Sequence, residues 1–180
     1  MQTERLDDFA DPAPWSAIAS GEAELRLAAA TGPQGPYLRL AYDFHGGGGF
    51  VVARRALART LPEAWALRFA VRGNAPANRL ELKLVDPSGR NVWWRQWPEF
   101  APGPDWQEVV VPDRDVVFAW GPAGGGEPHE LGAVEFAIAA GPGGAGELCL
   151  ADFRLEDRTY TRTPTVRASS AAAGHAAACA

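Results

Sequence analysis

The chain has 180 residues, 47% of them apolar and 22% charged, which is enough for one ordinary domain and a tail but short for two. A formal net charge of −5 argues against an electrostatic grip on nucleic acid, which needs a cationic stripe, and no apolar run is long enough to span a membrane. Lys83 is the only lysine, and arginine used in its place, with abundant Ala and Gly, suggests a GC-rich bacterial genome.

Residues 1–8 are polar and charged, unlike a secretory leader, so they point to a protein that acts inside the cell or to a segment of a longer chain. Asp7-Asp8-Phe9 opens the first strand. Period-2 alternation then recurs in short runs, and runs with helical period are nearly absent. The runs 22–27, 37–44 and 49–55 alternate. In 65–72, Trp65, Leu67, Phe69 and Val71 face the core while Arg68 and Arg72 face out. In 78–86, Leu80, Leu82 and Leu84 point inward and Glu81 and Lys83 outward. Asp86-Pro-Ser-Gly89 has the chemistry of a β-turn and joins this strand to the next as a hairpin. Further strands are expected at 91–97, 106–111, 116–119, 133–139 and 146–156. About ten short strands separated by Gly/Pro turns, with no helices between them, predict an all-β, two-sheet antiparallel β-sandwich. The domain is expected to span residues 1–157. Residues 158–180 are a polar linker followed by a small-residue run. A domain of this size buries enough surface to fold without a metal, a disulfide or any other cofactor.

The densest chemical signal is tryptophan, with seven in the chain and three in Val92-Trp-Trp-Arg-Gln-Trp97. Alternation puts Trp93, Arg95 and Trp97 on one face of that strand and Val92, Trp94 and Gln96 on the other. One face is core, so the other presents indole to solvent beside polar groups. Such a surface suits a sugar, whose apolar ring face stacks on indole while its hydroxyls bond to Arg, Gln, Lys or Asp. Trp120, at a strand end before a glycine-rich loop, either closes one side of a binding groove or pins the loop. Trp15 and Trp106 read as aromatic staples of loops to the core. His45-Gly-Gly-Gly-Gly49 lacks the Gly-Lys-Ser/Thr ending and the following helix of a phosphate loop, so it reads as a permissive connection between strands. The three histidines are scattered, and Cys149 and Cys179 lack metal-ligand spacing. Cys149 reads as a small core residue. No nucleophile elbow or comparable catalytic signature is present, so no catalytic residue is assigned. Asp8 and Asp152, in the first and last strands, are either calcium ligands brought together by pairing of those strands or solvent-facing acids.

Three segments carry a resemblance. Leu6-Asp-Asp-Phe-Ala-Asp-Pro-Ala-Pro-Trp15, Gly35-Pro-Tyr-Leu-Arg-Leu40 and Leu150-Ala-Asp-Phe-Arg-Leu155 resemble galactose-binding-like jelly-roll domains, specifically carbohydrate-binding modules related to the complex I intermediate-associated protein. Residues 79–94 and Phe118-Ala-Trp-Gly-Pro122 are similar to domains that precede discoidin-like modules in large bacterial proteins. The resemblance covers residues 4–157. Val166-Arg-Ala-Ser-Ser-Ala-Ala-Ala-Gly-His175 looks like the opening of a discoidin (coagulation factor 5/8 type C) domain that is then cut off.

The resemblance implies ligands on a concave sheet or at the loop rim, with Trp93, Trp94, Trp97 and Lys83 contributing. It also implies a calcium site between the terminal strands, often using a paired Asp in the closing motif, although here Ala151 replaces the first of that pair and leaves Asp152 alone. Together these readings predict a non-catalytic carbohydrate-binding accessory domain of a multidomain, glycan-processing bacterial protein, with polysaccharide or oligosaccharide and the neighbouring domains as its partners. The expected ligand-binding residues are Trp93, Trp94, Trp97, Lys83, Arg95, Gln96 and Trp120, and the expected metal residues are Asp8 and Asp152. The alternative is an interaction sandwich that packs against its neighbours and has no affinity for sugar.

Overall fold

The computed structural model describes residues 2–159. Twelve strands follow in order: β1 (Gln2–Asp7), β2 (Trp15–Ala19), β3 (Glu24–Gly32), β4 (Gly35–Asp43), β5 (Phe50–Thr60), β6 (Trp65–Asn74), β7 (Asn78–Val85), β8 (Val92–Phe100), β9 (Gln107–Pro112), β10 (Val117–Trp120), β11 (Glu130–Ala139) and β12 (Ala145–Asp157). A 3-10 turn spans Asp113–Asp115. Among the described residues, no helix is long and apolar enough to cross a membrane.

The strands form two six-stranded antiparallel sheets. The first runs β3-β4-β12-β6-β9, with β1 also pairing to β12, and the second runs β10-β8-β7-β11-β5-β2. This is the expected all-β sandwich of jelly-roll type. Two strands go beyond the expectation. β1 ends at Asp7 instead of opening there, and β2 lies in a segment whose sequence showed no usable alternation. Both gain their order from neighbours, β1 from β12 and β2 from β5.

The core is the space between the sheets, filled by alternate residues of both. Phe136 of β11 is its hub: its ring lies 5.1 Å from Phe69 of β6, 5.6 Å from Phe153 of β12 and 6.0 Å from Trp15 of β2. All three contacts are tilted or edge-on, the arrangement the aromatic quadrupole favours. Leu80, Leu82 and Leu84 of β7 and Leu67, Phe69 and Val71 of β6 are buried as their alternation predicts. Near the entrance to β2, buried Asp7 is held by three donors: the Phe9 N–H at 2.6 Å, Trp15 Nε1 at 2.7 Å and the Arg55 guanidinium. Trp15 is thus tied to the core by a hydrogen bond as well as by packing.

The β7–β8 hairpin sets the second sheet's working edge. Gly89, at φ +73°, donates its N–H to the Asp86 carbonyl. The Asp86 carboxylate accepts from Ser88 Oγ, Asn91 Nδ2 and the Arg90 and Asn91 N–H groups. Partial burial pushes its pKa up, but these donors outweigh it and hold the group at about 2. Asn91 Oδ1 in turn accepts the Ala123 N–H, which fastens the glycine-rich 121–126 loop to the turn. The His45–Gly49 segment connects β4 to β5, as a permissive loop.

Candidate ligand-binding face

On β8 the alternation resolves into two chemically different faces. Trp93 pairs across the sheet with Leu84, and Trp97 with Leu80, both core leucines. Trp93 is buried, packs edge-on to Phe118 at 5.6 Å and donates from Nε1 to the Gly126 carbonyl at 2.7 Å. Trp97 packs on the core, edge-on to Phe69 and Phe100. Arg95, between them in sequence, is half-buried with its guanidinium carbon 5.4 Å from the Trp97 ring centroid. Trp93 is therefore not placed to stack on a ligand, because its ring is buried and its N–H is taken. Trp97 and Arg95 share its side of β8 and are half-buried.

The other face carries a half-buried indole, Trp94, and an exposed one, Trp120. Trp94 pairs with Lys83 on β7 and with Val117 on β10, the edge strand. Trp94 and Trp120 stand edge-to-face, with centroids 5.3 Å apart and planes at 85°. Trp120 is 47% exposed and Val117 beside it 55%. Lys83 Nζ lies 5.4 Å from the Trp120 centroid, a cation–π contact, and 3.1 Å from Glu81 Oε2. Glu81, though buried, is fully engaged: Gln96 Nε2 donates to Oε1 at 2.9 Å and Arg79 Nε lies 2.8 Å from the same oxygen. Further along the face, Arg54 pairs with Glu135. Each cation here has a carboxylate partner, so the face offers donors and acceptors without a large net charge.

The structure thus brings Trp94, Trp120, Lys83 and Gln96 together and separates them from Trp93, Trp97 and Arg95. The central organiser, Glu81, is not among the expected site residues. Its outward register was readable, with Arg79 and Lys83 two residues to either side on the same face of β7, but the arrival of Gln96 depends on the pairing of β7 with β8.

The terminal strands do come together, as pairing of β1 with β12 shows, and Asp8 and Asp152 line one cleft. The donor set does not fit calcium. Asp152 Oδ1 accepts from Arg154 Nε at 2.7 Å and lies 3.3 Å from Arg5 Nε, so two guanidinia occupy the place of a hard cation that would need six to eight oxygens. Of the linker and discoidin-like opening expected over residues 158–180, residues 160–180 lie outside the described residues.

Comparison with solved structures supports the sandwich. The fold is similar to the family 11 carbohydrate-binding module from Clostridium thermocellum in complex with a β-1,3-1,4-mixed-linked tetrasaccharide, at a TM-score of 0.69 and 15% identity over 86% of this chain and 95% of that one. It is also similar to the family 30 module of a cellulosomal cellulase of the same organism, at a TM-score of 0.59 and 16% identity over 88% of this chain and 99% of that one. An exo-β-agarase matches at a TM-score of 0.60 and 13% identity, over 85% of this chain but only 25% of its own. No protein-family model matches the sequence, and no curated protein matches it. At these identities the likeness establishes the jelly-roll fold.

Proposed function

We propose that the protein is a non-catalytic carbohydrate-binding module that takes a glycan on the outer face of the second sheet. The observation that carries this reading is the Trp94–Trp120 pair, an edge-to-face aromatic corner of one half-buried and one exposed indole, flanked by Lys83, Gln96 and Glu81. A pyranose laid against an indole buries its C–H face, and its hydroxyls then meet the polar neighbours. Because Glu81 already fixes Gln96 and Lys83, little side-chain entropy is lost on binding. The mutual neutralisation of cations and carboxylates favours an uncharged glycan. That modules of this fold include one solved with a β-1,3-1,4-mixed-linked tetrasaccharide supports a sugar as ligand.

A second reading rests on Val117, the most exposed of the large apolar side chains beside Trp120. An apolar edge of this kind also suits packing against a neighbouring domain. Affinity electrophoresis of the full chain through gels carrying mixed-linked glucan, agarose, xylan or no polysaccharide separates the two. Retardation in one glycan, abolished in Trp94→Ala, supports the module. Equal mobility in all gels by a folded protein supports the interface.

A further inference from the structure

The cleft that the terminal strands build on the opposite side of the sandwich has no place in the reading above. It arises where β12 changes neighbours. Residues up to Leu150 pair with β4, and those from Phe153 onward pair with β1, so Ala151 and Asp152 lie in a gap between the two partners. Asp152 sits there at φ +52°, an uncommon conformation for a residue with a side chain, within a register shift of the β6 ladder. The gap opens into a cleft of about 270 Å³. That is at the lower edge of the roughly 300–1,000 Å³ range of small-molecule sites, and it suits one ring more than a chain.

Its lining mixes donors and acceptors. Arg5 and Arg154 are directly opposite one another across the β1–β12 ladder, and Arg68 is opposite Arg154 on β6. Three cations in a row repel unless each is answered. Arg68 has two carboxylates, Glu108 and Glu156. Arg5 and Arg154 share Asp152 through their Nε atoms. Asp8 lines the same cleft, with Oδ1 accepting the Ala10 N–H, and Gln34 supplies an amide. Trp106 forms another part of the lining. The Arg72 guanidinium carbon lies 4.7 Å from its ring centroid and Tyr37 is edge-on at 5.6 Å, so the indole is held in place.

An anion entering this cleft meets two carboxylates, and a divalent cation meets two guanidinia. A neutral polyol meets neither penalty: its hydroxyls both donate and accept, and its ring can lie against indole. We infer that this cleft is a second carbohydrate site, which holds a single neutral pyranose between Trp106, the Arg5/Arg154 pair and the carboxylates of Asp8 and Asp152. The module would then hold sugar on both outer faces and bridge two glycan chains. The cleft's chemistry stands apart from the Trp94–Trp120 face, so each site can fail without the other.

The test is a titration of the ¹⁵N-labelled full chain with D-glucose, D-galactose and D-xylose, following the Trp106 indole and the Arg5 and Arg154 Nε–H signals. It is run in wild type and in Trp94→Ala/Trp120→Ala. At least one sugar should shift these three signals saturably in both proteins, while calcium and inorganic phosphate leave them in place. Arg5→Gln, at an exposed side chain, and Trp106→Ala should each weaken binding about ten-fold or more. Unmoved signals with all three sugars, a calcium- or phosphate-induced shift equal to the sugar's, or full affinity in Arg5→Gln with a folded spectrum would overturn the inference. Movement at Trp94 alone would overturn it while leaving the first site standing.

Discussion

Trp93 and Trp94 are adjacent in the chain, yet their environments are opposed. One is buried against Phe118 with its N–H spent on Gly126, and the other meets Trp120 on the open side of the sheet. The same contrast separates Trp97 from Gln96. A single strand therefore divides its aromatic area between holding the sandwich together and offering a surface, and the division follows from the two-residue repeat alone. Substitutions on the two faces should consequently fail in different ways.

The largest expected effect is on stability. Trp93→Ala removes a buried indole and leaves a cavity beside Phe118, at a cost of about 3–5 kcal/mol in a denaturant melt. A loss below about 1 kcal/mol would place Trp93 outside the core. On the other face, Trp94→Ala and Trp120→Ala should leave the melt within about 1 kcal/mol of wild type and weaken glycan binding at least ten-fold. Destabilisation equal to that of Trp93→Ala would erase the contrast. The two indoles of this face also support each other, so a double-mutant cycle on stability should return a coupling of about 0.5–1.5 kcal/mol. Trp93→Phe keeps the packing but loses the hydrogen bond to Gly126, for about 1 kcal/mol. Because that bond anchors the loop that follows Trp120, glycan affinity should fall modestly as well.

Acid probes the turn on which both faces depend. Asp86 has a pKa of about 2 in the folded protein against an ordinary value near 3.8, so its contribution to stability is complete above about pH 4. It is lost as pH falls through about 2. Asp86→Asn should flatten that limb of the stability profile, and an unchanged limb would assign acid sensitivity to other carboxylates.

Much of the sandwich was legible because most strands are buried on one side and alternate cleanly, as Trp65–Val71 and Leu80–Leu84 do. β1 and β2 were not, since their order comes from pairing with β12 and β5 and their exposed residues follow no period. For the site, alternation on β8 showed that the faces differ but not which one is core. That choice depends on Leu80 and Leu84 lying opposite Trp97 and Trp93, a register set by the Asp86–Asn91 turn. The expected meeting of Asp8 with Asp152 did occur, but the arginines beside them change its chemistry. Arg5 and Arg154 were visible in the sequence, whereas their position directly opposite one another required the ladder.

The most direct test of the central claim is a fluorescence titration of the full chain with the oligosaccharide of whichever glycan retards it in the gel, performed in wild type, Trp120→Ala and Trp97→Phe. If Trp94 and Trp120 form the binding face, the signal saturates in wild type and in Trp97→Phe with similar affinity, and Trp120→Ala binds at least ten-fold more weakly. Unchanged affinity in a folded Trp120→Ala, or a loss confined to Trp97→Phe, would contradict it.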